Sequence, residues 1–283
     1  MLSGPFLPKN WIGASDSFED SKWVLVGMPY DGTCSNRPGA RFGPETVRLA
    51  SWGLEDYSPI QNKEINDVAF FDAGELDFPL GNRDKTLDII KNAAQETLNA
   101  GKFWFGIGGE HLVTYPVIEA YLEKYPDLCV LHFDAHADLR QEYLGETLSH
   151  ATVMKRIVDK IGVGRFVQIG IRSGTKDEFD WIKTNKTLIH DKSRIHEAIK
   201  KLSEKPVFIS VDLDVLDPSI MSGTGTPEAG GLTFNEFMSW LLEFKDQNIV
   251  GADVVELAPH YDPTGTSTAV AAKVIREMLI FVS

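Results

Sequence analysis

The chain has 283 residues, 43% of them hydrophobic and 24% charged, enough to bury a sizeable α/β core without a disulfide or metal staple. Its 28 Lys and Arg against 41 Asp and Glu give a net charge of −13, which disfavours nucleic acid and anionic membrane surfaces and favours cationic ligands and metal ions. Two cysteines, Cys34 and Cys129, exclude a disulfide framework, and neither a signal-peptide pattern nor a membrane-spanning apolar stretch is visible, so a reducing cytoplasm is the expected compartment.

Residues 1–22 read as an N-terminal extension. Trp23–Met28 is a short apolar run stopped by Pro29 and reads as a buried strand. A loop rich in Gly, Pro and polar residues follows at 30–44, and long loops in compact domains often carry function. Pro44 fits the first turn of a helix that ends near Ser51. Residues 68–72 form a second strand candidate, closed by a turn at Ala73-Gly74-Glu75. Leu87, Ile90, Ala94 and Leu98 recur at helical spacing, and Gly101 fits the stop of that helix.

Residues 103–107 form a third strand and run into Gly108-Gly109-Glu110-His111, with a helix expected over about 113–124. An apolar run at 128–133 is the next strand. Ser149 can cap a helix that ends at Ile161, and 165–171 is another strand. Residues 187–189 read as a short strand and Ile195–Leu202 as a helix. Residues 206–211 form a strand that ends in Asp212-Leu213-Asp214. A helix over 233–245, a strand over 249–257 and a helix over about 267–281 complete the chain. Strand and helix alternate throughout, which predicts an α/β fold with a mostly parallel sheet covered on both faces. With no linker, low-complexity segment or repeat, residues 1–283 read as one domain.

Polar clusters stand where the strands end, the place where open α/β sheets bind ligands. The central one is Asp134-Ala135-His136-Ala137-Asp138. In an extended chain residues two apart share a side, so all three side chains can converge. Two carboxylates and an imidazole without a thiolate suit a hard or borderline cation such as Mn²⁺. Asp212 and Asp214 repeat the spacing. With His111 they make six candidate ligands, more than one open metal site needs, which suits two divalent ions roughly 3.5–4 Å apart. Of their neighbours, His132 reads as a core histidine on the opposite side from His136. Glu110 reads as a structural hydrogen-bond acceptor and Cys34 as an inert thiol.

Three separated motifs carry a resemblance. Gly108-Gly109-Glu110-His111, Asp134-Ala135-His136-Ala137-Asp138 and Ser210-Val211-Asp212-Leu213-Asp214-Val215-Leu216-Asp217-Pro218 occur in the order found in the ureohydrolases, the manganese enzymes that include arginase and agmatinase. Segments 223–231 and 253–256 also match. The resemblance implies a three-layer α/β/α fold and trimers or hexamers. It implies that His111, Asp134, Asp138 and Asp212 hold one Mn²⁺, and that Asp134, His136, Asp212 and Asp214 hold the other, with Asp134 and Asp212 bridging. Glu256 matches the carboxylate that receives the guanidinium group, and His150 lies near the position of a proton-shuttle histidine. A hydroxide bridging the ions would be the nucleophile.

The loop at 30–44 and Leu148-Ser149-His150-Ala151-Thr152 look like the agmatinase branch, which converts agmatine to putrescine and urea in polyamine biosynthesis. Arginases carry Asn where this chain has Arg140, and an acid after the Gly-Ile-Arg strand end where it has Ser173. Both departures favour a substrate without an amino-acid head. A cation at Arg140 would welcome a carboxylate, which keeps guanidinobutyrate or guanidinopropionate hydrolysis as the alternative. The expectation for Arg140 itself is a salt bridge to Glu142 or Glu146 that turns it away from substrate. A one-metal zinc deacetylase and a catalytically silent metal-binding protein are the remaining classes.

Overall fold

Short, continuously apolar runs need cover on both faces, and parallel pairing with crossover helices provides it. The computed structural model describes residues 10–283, so 1–9 of the expected N-terminal extension lie outside the described residues. In chain order the elements are β1 (Trp23–Met28), α1 (Gly43–Ser51), β2 (Tyr57–Ser58), β3 (Lys63–Glu64), β4 (Phe70–Glu75), α2 (Arg83–Asn99) and β5 (Phe103–Gly108). Then come α3 (Thr114–Lys124), β6 (Cys129–Phe133), α4 (Val153–Ile161), β7 (Phe166–Ile169), α5 (Lys176–Asn185) and α6 (Ile195–Leu202). The last are β8 (Pro206–Asp212), α7 (Phe234–Leu241), β9 (Asn248–Val255) and α8 (Thr266–Val282).

Seven strands form one sheet in the order β4-β1-β5-β9-β8-β6-β7, and every pairing is parallel. Alternation along the strands divides the core in two. Leu25, Leu131, Phe133 and Ile209 pack with Val47 of α1, Leu202 of α6, Phe237 of α7 and Ile275 of α8. Val24, Val130 and Phe208 face the other way, toward Ile90 of α2, Val117 of α3, Ile157 of α4 and Ile182 of α5. This is the expected three-layer α/β/α arrangement. Each such side chain, once fully buried, contributes about 1.5–3 kcal/mol.

Several local expectations change. Residues 73–75 continue β4 instead of turning away, with Gly74 at φ 81. The short strand expected at 187–189 reduces to a single bridge, Gln168 to Leu188. Helix α5 was not anticipated, because of its side chains only Glu178 and Ile182 are buried and it shows no apolar stripe. Its signal was the capping box, in which Thr175 accepts from the Glu178 backbone and Glu178 reaches back. The β2–β3 hairpin was also missed; its two-residue strands are too short to show a period.

Because all seven strands run the same way, their carboxyl ends share one rim. β5, β9, β8 and β6 are neighbours there, so the residues that follow them meet. The turn after β5 passes against the segment after β1: Gly109 N donates to Met28 O at 2.8 Å and Glu110 N to Tyr30 O at 2.7 Å. A Cβ on Gly109 would stand 1.9 Å from the Tyr30 carbonyl oxygen. Gly109→Ala should therefore destabilise the protein by at least about 1–3 kcal/mol, since backbone rather than a flexible side chain must give way. A urea midpoint equal to that of the unaltered protein would show that the approach is not tight.

Candidate metal centre

Each strand end delivers its polar residues to one point. His111 opens the turn after β5, and its Nδ1 lies 3.2 Å from Asp134, 3.3 Å from Asp138 and 3.3 Å from Asp212. Asp134 follows β6 and is fully buried. Its Oδ2 faces His111, and its Oδ1 is 3.6 Å from His136 Nδ1. His136 Nδ1 lies 2.9 Å from Asp214 Oδ2. Two groups of metal-capable atoms result, one of His111, His132, Asp134 and Asp138 and one of Asp134, His136 and Asp214, with Asp134 common to both. Asp212 stands beside the first group through Oδ2, while its Oδ1 accepts from Asp214 N at 2.9 Å.

Extended alternation alone does not produce this convergence. Asp138 has φ 54 and Glu256 φ 70, left-handed conformations uncommon for non-glycine residues. Both turn a side chain into the cavity, and such local strain concentrates at functional sites. His132 is a core histidine, as expected, and adds a contact the spacing did not indicate. It is buried and stacked on Phe166, yet its Nε2 donates to Asp134 Oδ2 at 2.8 Å, so it touches the same carboxylate as His136. Gln168 reaches its other nitrogen at 3.4 Å. His111 Nε2 meets Ser210 Oγ at 2.9 Å, and that hydroxyl donates to Asp253 Oδ1 at 2.7 Å. Such contacts behind a ligand fix its orientation.

The charges are uncompensated by protein alone. Burial and the Asp134 charge push Asp138 up to about 7. Burial and neighbouring carboxylates also hold Asp212 and Glu256 well above the usual carboxylate range. Burial opposes a charged His136, but Asp214 and Asp134 outweigh it and raise the imidazole to about 12. Burial likewise works against ionised Asp134, and the imidazoles of His111, His132 and His136 around it outweigh burial, holding the acid low. His111 Nδ1 is buried and completes no hydrogen bond, although three carboxylate oxygens crowd it. A buried imidazole nitrogen crowded by carboxylate oxygens fits divalent cations, and the oxygen and imidazole donor set without thiolate agrees.

Beside the cluster lies a cavity of about 180 Å³ whose walls include Glu256, His150, Ser35, Tyr143, Arg140 and Glu178. Glu256 accepts from His111 N at 2.8 Å through Oε1, and its Oε2 has no hydrogen bond among the described residues. His150 opens the turn before α4; its Nε2 lies 3.2 Å from Ser35 Oγ, its backbone N donates to Thr33 Oγ1, and its Nδ1 is buried without a partner among the described residues. Burial pushes its imidazole down to about 4.

Segment 30–44 roofs this space. Buried Glu110 accepts from Thr33 N and Oγ1, Asp31 accepts from Gly39 N, and Asn36 donates to Gly225 O. Glu110 therefore holds the roof, as the structural reading expected. The Cys34 thiol is pushed far up by burial and by Glu256 and Glu110, so nothing activates it. Thr226 touches Asp214 Oδ2 at 3.3 Å, while Arg172 ties down the carbonyls of Asp214 and Glu228.

Arg140 corrects the sequence reading. Glu146 pairs instead with Arg83, and Arg140 lies over the Tyr143 ring at 4.7 Å with its Nε 3.9 Å from Glu178, facing the cavity. Tyr143, Glu178, Ser35 and Thr226 were not singled out from the sequence. For Glu178 the capping box was the available signal; the others are brought in by loops with no periodic pattern.

The Arginase family pattern matches residues 21–281. An agmatinase of Bacillus anthracis is 46% identical over 277 residues, covering 96% of each chain. The human mitochondrial guanidino acid hydrolase is 35% identical over 271 residues, covering 90% of this chain and 77% of that one. The structure of an agmatine ureohydrolase from Thermoplasma volcanium superposes with a TM-score of 0.87 at 30% identity, covering 98% of this chain and 95% of that one. With its parallel sheet, its paired His/Asp clusters and this extent of similarity, the chain belongs to the arginase family and is a hydrolase.

Proposed function

We propose that this hydrolase cleaves the guanidino group of agmatine, giving putrescine and urea. Two Mn²⁺ would be held by His111, Asp134, Asp138 and Asp212 and by Asp134, His136, Asp212 and Asp214. The observation that carries the reading is the position of Glu256, a buried carboxylate with one oxygen fixed by His111 N, in the same cavity wall as the His/Asp cluster. A second support is the run of agmatinases at 42–46% identity over nearly the whole chain.

When bound, the ions would make water acidic enough to attack near neutral pH and offset the carboxylate charge. The remaining work falls to the chain. A guanidinium is planar and always protonated near neutral pH, so it is a poor electrophile until oriented. Glu256 Oε2 can pair with its N–H groups and restore a charge partner to an otherwise isolated carboxylate. The amine leaves only if protonated. His150 is neutral in the free site, so it begins as a proton acceptor at Nε2 or Nδ1. It takes the proton released on attack and returns it to the departing nitrogen. Ser35 Oγ, 3.2 Å from Nε2, holds the ring in place for both steps.

One seven-stranded sheet that draws strands from the whole chain and a family match over 21–281 support a single catalytic domain. Two free cysteines support a cytoplasmic location, and no helix among the described residues is long and apolar enough to cross a membrane. Leu80 and Leu144, 99% and 80% exposed, suit subunit contacts in a homotrimer or homohexamer. A guanidino acid is the second reading, favoured by Arg140 in the cavity wall and by the human relative.

Urea release from agmatine, arginine and guanidinobutyrate in the presence of Mn²⁺ should rank agmatine first, and no urea from any of them would leave a silent metal-binding protein. Glu256→Ala should retain two metals per chain by elemental analysis while kcat/KM falls about 10²-fold or more; metal loss in that variant would make Glu256 a ligand. Chelator-stripped protein should melt lower than protein with Mn²⁺ at 100 times its Kd, which adds about 2.7 kcal/mol. Equal melting temperatures would count against a resident ion.

A further inference from the structure

Behind the cluster stands a side chain that the proposed chemistry does not use. Gln168, on β7, is fully buried, and a buried amide is costly unless its donors and acceptor are paired. Its Oε1 accepts from Thr187 Oγ1 at 3.0 Å. Its Nε2 donates to the backbone carbonyl of Ala137 at 3.3 Å and lies 3.4 Å from His132 Nδ1. The backbone holds this geometry from the outer side: Gln168 N donates to Thr187 O and Ile189 N donates to Gln168 O, both at 2.9 Å.

These contacts permit one arrangement of protons. A backbone carbonyl only accepts, so the amide atom facing Ala137 O is the nitrogen. That nitrogen can approach His132 Nδ1 only where Nδ1 carries a lone pair. His132 is then neutral with its proton on Nε2, which faces Asp134 Oδ2 at 2.8 Å. Ala137 itself sits between His136 and Asp138, and Asp138 leaves it in a left-handed conformation at φ 54. Gln168 therefore grips the ligand segment twice, by its backbone at Ala137 and by the Asp134 side chain through His132. Ser210 and Asp253, by contrast, reach His111, which belongs to one of the two groups of metal-capable atoms.

We propose that Gln168 is a positioning residue for the whole cluster, acting on both ions at once. It keeps the His132 proton on Nε2 and fixes the backbone at Ala137, and through these two contacts it orients Asp134, the carboxylate common to both groups. Removing the amide frees His132 to carry its proton on Nδ1. Nε2 then turns a lone pair toward Asp134 Oδ2, and the shared carboxylate loses the donor that orients it. This inference rests on the two-metal reading of the cluster.

Two measurements on the full-length protein test it. The first is ¹⁵N NMR of the histidine rings in wild-type protein stripped of metal, with the His132 signals assigned by their loss in His132→Phe. His132 should show a protonated Nε2 and an unprotonated Nδ1; a protonated Nδ1 overturns the proposal, and this arm needs no variant of Gln168 to fold. The second is Mn²⁺ titration of wild-type protein, Gln168→Leu and Ser210→Ala, with bound metal counted by elemental analysis. Gln168→Leu should weaken both ions together by about tenfold or more, whereas Ser210→Ala should weaken one and spare the other. Wild-type affinity for both ions in Gln168→Leu, or loss of one ion alone, overturns the role of Gln168 while leaving the two-metal reading intact. Failure of the wild-type protein to bind two Mn²⁺ overturns both.

Discussion

The structure turns on one crowded contact, the buried Asp134 carboxylate held between imidazoles. His111 and His132 approach one of its oxygens and His136 the other, while Asp138, Asp212 and Asp214 press in around them. Burying several carboxylates costs more than hydrogen bonds to two or three histidines return. Without further positive charge, the group resolves the conflict by protonation, which is why Asp138 is raised to about 7 and Asp212 is held well above the usual carboxylate range. A site that is costly to assemble from protein alone is well suited to divalent cations, and this cost explains why the supporting contacts are numerous.

Those contacts come from the sheet. Ser210 on β8, Asp253 on β9, and His132 and Gln168 on β6 and β7 all belong to strand interiors, and they hold His111 or Asp134 from behind. They line a narrow polar seam through a core that is otherwise apolar on both faces. A polar seam of this kind is stable only when its members are paired. The cluster, on the segments that leave the strand ends, is therefore backed by rigid strands.

The roof shows how a loop is made precise. Segment 30–44 has no apolar period, yet Glu110 and Asp31 fix its backbone at Thr33 and Gly39, and the Asn36 side chain ties it to Gly225 O. Its residues then reach His150 from above through Thr33 and Ser35. The cluster side of the cavity is set by strand ends and a well-anchored roof. The opposite wall is made by Arg140 and Tyr143 from one loop and Glu178 from the first turn of α5.

By itself the sequence determined the strand–helix alternation, the parallel sheet, and which acids and histidines stand at strand ends, because apolar runs and two-residue spacing are local properties. It also carried the motifs that mark the family. Only the tertiary structure decided the rest. It turned Asp138 and Glu256 inward through left-handed backbone, and it brought His132 onto Asp134. It swung Arg140 away from Glu146 and onto the cavity wall beside Glu178, a residue of the one long helix that the sequence pattern concealed. The reason is physical. Side-chain partners separated by dozens of residues are chosen by which strand ends and loops the fold places side by side, and no local spacing encodes that choice.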